Sequence, residues 1–154
     1  MDLRKISYGG TAAVVTGMGL VIGLGAAGST RSAIVASLLI FAIADNLSDS
    51  LSIHVYQESE RLEERAAFRA TVANFATRFG LSAGFVAIVI LLAPPLAVIA
   101  ALTWGGLALV MLTALVARDR GAPVVPEIAK HLAVAAVVIV ASKGIGGWLQ
   151  HAIG

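Results

Sequence analysis

Five apolar runs, near residues 8–27, 32–57, 71–93, 96–117 and 126–149, leave this chain almost no room for anything else. Each has about the 20 residues that a helix needs to cross the acyl core of a bilayer. The stretches Gly28-Ser29-Thr30, Pro94-Pro95 and Gly121-Ala122-Pro123 lie between runs, where helices end. Lipid offers no hydrogen bonds to bare backbone, so a spanning chain must be helical or form a closed barrel. Long Ala, Leu, Val and Ile runs lack the alternation of barrel strands. The expected fold is therefore all-α: one transmembrane domain over residues 1–154, with five transmembrane helices and the lipid bilayer as its first partner.

Basic residues orient the spans. Arg4 and Lys5 precede the first run, Arg61, Arg65, Arg69 and Arg78 surround the second connection, and Arg118, Arg120 and Lys130 flank the fourth. The alternate connections hold only Arg31. Because Lys and Arg stay on the cytoplasmic side, the N-terminus is expected inside and the C-terminus outside or in a lumen. Lys143, near the outer end of the fifth run, can snorkel to the headgroups. The first run continues through Gly19 and Gly23 to span length without a clean small-residue cleavage site, so a retained helix is expected rather than a signal peptide. The expected setting is a bacterial inner membrane.

Composition narrows the function classes. Hydrophobic residues make up 58% of the chain and charged residues 13%, against roughly 45–50% and 25% in soluble domains. There is no cysteine, which removes disulfides, thiolate metal sites and cysteine nucleophiles. No surface suited to nucleic acid stands out. "GLGAAG" at 23–28 mimics a dinucleotide-binding turn but has no strand before it. The histidines, at 54, 131 and 151, are scattered and no nucleophile sits with a base; an enzyme is not expected.

The stretch "ADNLSDSLSIHVYQESE", residues 44–60, places acids where lipid should be. At about 100° per residue, Asp49, Ser52 and Tyr56 fall within roughly 40° of Asp45, with Ser48 at the flank of the same face. Intramembrane carboxylates usually face a bundle interior or a wet path, where they bind cations or carry protons. Their i, i+4 spacing lets Asp45 and Asp49 share a divalent ion, with oxygen ligands from Ser48, Ser52 or a partner helix, or share a proton. Alternatively the two acids pair with Arg78, Lys130 or Lys143 and lock helices together. His54 points about 180° away from Asp45 and reads as a packing or interfacial residue.

Other features carry weaker signals. Glu60 and Glu64, with Glu63, could form a metal-catching mouth at the cytoplasmic end; interleaved with Arg61 and Arg65, they also read as a solvated helix extension held by ion pairs. Pro126 and Glu127 mark the N-terminus of the fifth helix, with Pro126 near its first position. In the first run, Gly19 and Gly23 put two small residues on one face, suited to a homodimer contact or to packing within the chain.

The glycine-rich first run ending "GLVIGLGAAG", together with "ADNLSDSLSIHVYQESE", resembles the vacuolar iron transporter family, whose second helix reads A-N-L-x-A-D-x-x-S-M-x-x-x-E-Y-L-S. On that pattern Asp49 stands at the family Asp, Ser52 at the Ser and Asp45 at the Asn. The resemblance implies proton-coupled transport of Fe2+ or Mn2+ by a homodimer with the ion path between subunits, with Asp45, Asp49 and Ser52 at the matched positions. Together with Glu60 and Glu64 of the cytoplasmic mouth these are the expected metal ligands, and Asp45 and Asp49 are the expected proton-coupling pair. No permanent cofactor is implied; the metal is cargo. The chain departs from the pattern at Ala12-Ala13, where the family has an acid, at Ile53, where it has a Met, and at Gln57-Glu58, near its Glu. The connection at 58–70 is too short for the helical metal-binding domain that family transporters often carry. The alternative expectation is a non-transporting scaffold or regulatory member of the same fold.

Overall fold

The computed structural model describes residues 3–59 and 64–153, with side chains for residues 9–56, 65 and 68–153. Every element among the described residues is helical. Helix α1 spans Leu3–Ala26. It stops where Gly28 turns to a φ of 72°, and Ser29 N–H reaches back to the Leu24 carbonyl at 3.0 Å, a glycine-dependent C-terminal closure. Thr30 then caps α2 (Arg31–Ile40), its Oγ1 accepting from Ala33 N–H at 3.2 Å. Helix α2 runs through a π-helical turn, Phe41–Asp45, into α3, Asn46–Ser59.

Helix α4 covers Glu64–Leu91 and α5 covers Pro94–Asp119. Two prolines open α5, at positions whose missing N–H groups would have had no helical acceptor. Gly121, at φ 66°, ends it. Helix α6, Val124–Ala152, begins earlier than expected, which puts Pro126 third in the helix rather than first. The helix tolerates it because the N–H groups of the opening turn have no partner anyway. Among the described residues five stretches are long and apolar enough to cross a membrane: Gly9–Ala26, Arg31–Tyr56, Phe68–Leu91, Pro94–Asp119 and Val124–Ala152. They are consistent with an integral multi-pass membrane protein. Their edges differ from the expected ones by a few residues, since a helix does not stop where its apolar run does.

Helix α1 lies at the centre, packed against α4, α5 and α6. Val14, Met18, Val21, Phe85, Leu109 and Leu112 form the core around it. Between apolar helices in lipid, association depends on close packing, and α1 achieves it with glycine. A Cβ at Gly17 would lie 2.6 Å from the Phe85 ring, one at Gly19 3.0 Å from Ser142 Oγ, and one at Gly23 3.2 Å from the Ser142 carbonyl. Of the two uses expected for the Gly19–Gly23 face, packing within the chain is present: α6 of the same chain lies against it. Helix α3 is different, with Leu47, Leu51, Val55 and Tyr56 exposed along its outer side.

Candidate functional site

The site lies where α3 meets α4, and two buried polar rows build it. On α3, Asn46 and Ser50 stand one turn apart; on α4, Asn74, Arg78 and Ser82 follow at the same spacing, and all five are buried. The π turn ends as the first row begins. π turns are rare and recur at functional sites. Here Asn46 Nδ2 donates to the Ala42 carbonyl at 2.9 Å and lies 3.4 Å from Ser82 Oγ.

Arg78 is the hub. Its Nε donates to Asn46 Oδ1 at 2.8 Å, its Nη1 to the Gly9 carbonyl at 2.9 Å and its Nη2 to Asp45 Oδ2 at 2.9 Å. Nη1 also pairs with Asp49 Oδ2 at 3.1 Å. The Arg78 side chain is 3% exposed, whereas those of Asp45 and Asp49 are 55% and 41% exposed. A charge this buried is tolerated only when paired and hydrogen-bonded, and the guanidinium fork supplies enough donors for every partner. Asn74 supports the second acid, its Nδ2 donating to Asp49 Oδ2 and to Ser50 Oγ, each at 3.3 Å. Asn74 Oδ1 is buried with no hydrogen-bond partner among the described residues. It faces Gly9, where a Cβ would collide with it.

Of the three cations expected to be able to pair with the acids, Arg78 takes both. Lys130 instead pairs with Glu127 on its own helix at 2.8 Å, and Lys143 is exposed. Ser52 Oγ donates to the Ser48 carbonyl at 3.0 Å. Ser48, Ser52 and Tyr56 are exposed beside the acids on the outer side of α3. His54 is turned toward α4, its Nδ1 3.4 Å from Thr71 Oγ1. Glu60 and Glu63 lie outside the described residues, as does the side chain of Glu64. Among the described residues no three His, Asp or Glu side chains gather into a group that could hold a metal.

Sequence reasoning missed Asn46, Ser50, Asn74 and Ser82. A signal for the α4 row was present: positions 74, 78 and 82 repeat a polar residue every four in an otherwise apolar run, which places them on one helix face. The π turn left no comparable mark.

Protein-family models, curated proteins and solved structures provide no match to the chain. Two carboxylates against one guanidinium, whose charge does not titrate away, leave one negative charge with both acids ionised. It is presented on the outer side of a 26-residue candidate span, near its middle. Such a group can take up a cation or exchange a proton.

Proposed function

We propose that the protein is a homodimeric membrane transporter of divalent transition-metal cations of the Fe2+ and Mn2+ type, coupled to protons through Asp45 and Asp49. The observation that carries this reading is the half-exposed acid pair near the middle of the span, with charge left over after Arg78 is counted. A charge facing acyl chains costs about 2.5–3.5 kcal/mol even on the lenient scale. The outer side of α3 therefore calls for a polar or wet cover, and a second copy laid against it supplies one. Two such faces together carry two uncompensated negative charges, the amount one divalent ion neutralises. The resemblance of residues 44–60 to the second helix of vacuolar iron transporters supports the same cargo. Ser52, Glu60 and Glu64 are the proposed further ligands along the path. The proposed orientation has the N-terminus in the cytoplasm, which the distribution of basic residues supports, and the proposed membrane is a bacterial inner membrane.

Carboxylates ligate metal in the ionised form, so metal and protons compete for the same oxygens and an opposing proton gradient drives uptake. The test is Mn2+ uptake into liposomes containing the purified protein, with and without an imposed pH difference. Gradient-dependent uptake supports the reading, and its absence from a folded dimer removes it.

One observation favours a second reading. Arg78 closes on both acids at once, as a structural clamp would, and a non-transporting scaffold of the same fold needs nothing more. Wild-type uptake separates the two.

A further inference from the structure

We infer that Arg78 is a tethered cation occupying the place a mobile cation would take between Asp45 and Asp49, and that it thereby limits each protomer's site to one added positive charge. The inference rests on reading the two acids as a cation site, but not on whether the ion is moved across the membrane.

The atoms involved carry the argument. An ion bridging two carboxylates one turn apart would use an oxygen from each. Here one oxygen of each, Asp45 Oδ2 and Asp49 Oδ2, is already held, by Nη2 at 2.9 Å and Nη1 at 3.1 Å. The guanidinium is fixed from behind, by Asn46 Oδ1 on Nε and the Gly9 carbonyl on Nη1. It does not lose its proton in proteins, so its charge can be moved but not switched off. With Arg78 in place, a proton or a monovalent cation completes the balance at one protomer. A divalent ion that takes both Oδ2 atoms displaces the guanidinium and gives up its Asn46 and Gly9 bonds, and one held only through the Oδ1 atoms keeps the guanidinium charge beside it; either way Arg78 opposes the ion.

Two residues thus control divalent affinity without ligating the ion. Arg78 competes for the site, and Asn46 sets how firmly it does so. Asn46 is 0% exposed, so its effect on the ion passes through Arg78.

The experiment is equilibrium Mn2+ binding by the full chain in detergent, with free Mn2+ read by its electron paramagnetic resonance signal. Arg78→Gln is expected to bind Mn2+ about tenfold more tightly than wild type, and Asp49→Asn in that background to lose the gain. Arg78→Lys, which keeps the charge, is expected to stay near wild type. Asn46→Ala, which keeps all three charges and removes the Nε acceptor, is expected to gain about threefold. An Arg78→Gln protein with unchanged helical content and elution volume that binds no more tightly overturns the inference, as does an equal gain in Arg78→Lys. If Arg78→Gln does not fold, Asn46→Ala decides: unchanged affinity overturns the inference. Uptake is scored separately. Tighter binding by Arg78→Gln without wild-type uptake keeps this inference and removes the transport reading, while wild-type uptake without that gain does the reverse.

Discussion

Arg78 donates from Nη1 to the backbone carbonyl of Gly9, 2.9 Å away, and so ties the charged centre of α3 and α4 to the central helix α1. The contact depends on Gly9 having no side chain, since a Cβ there would collide with Asn74 Oδ1 and lie 3.0 Å from Arg78 Cδ. Gly9→Ala is expected to destabilise the fold by about 1–3 kcal/mol, the usual cost of overpacking. Gly80→Ala on α4, with nothing within 4 Å of its Cβ, is the control and should be neutral or slightly stabilising. Thermal unfolding in detergent, followed by circular dichroism, checks the pair.

Removing both acids should cost more than removing the guanidinium. Asp45→Asn with Asp49→Asn leaves a side chain 3% exposed with only neutral acceptors, an uncompensated buried charge worth about 3–5 kcal/mol. Arg78→Gln removes the charge that is buried and leaves two carboxylates at the half-exposed edge, where the proposed polar or wet cover compensates them better than the core compensates a lone guanidinium. The triple variant Asp45→Asn, Asp49→Asn, Arg78→Gln should recover part of the double variant's loss. Denaturant midpoints for the set measure the order; a double variant as stable as Arg78→Gln would contradict it.

The α1–α6 contact makes a separate prediction. A Cβ at Gly146 would strike the Gly23 carbonyl and lie 3.0 Å from Ala27 N, whereas one at Gly147 meets nothing within 4 Å. The Gly146 obstruction is backbone, which cannot rotate away. Gly146→Ala should therefore lower stability by about 1–3 kcal/mol or more, and Gly147→Ala should not. Melting temperatures of the two variants provide the comparison.

For the transport reading, the sign of the pH dependence follows from ligation. Protons and Mn2+ compete for the same carboxylate oxygens, so at fixed Mn2+ concentration uptake should be slower in more acidic buffer. Asp49→Asn should abolish uptake along with its pH dependence. Uptake at the original rate and pH profile in a folded Asp49→Asn dimer would remove Asp49 from the mechanism.

The sequence by itself determined the five candidate spans, the stops at Gly28, Pro94-Pro95 and Gly121, and the common outer face of Asp45, Ser52 and Tyr56. All of these follow from apolar length, turn chemistry and the angle per residue, which neighbours along the chain decide. Only the tertiary structure decided that Arg78, and neither Lys130 nor Lys143, closes on both acids, and that α6 packs against the Gly19–Gly23 face. It also set the π turn ahead of Asn46 and brought the Asn74-Arg78-Ser82 row against Asn46 and Ser50. These outcomes depend on which helices stand side by side and at what relative height. Gly9 and Arg78 meet across 69 residues because α1 and α4 pack together, and no periodicity within either helix encodes that pairing.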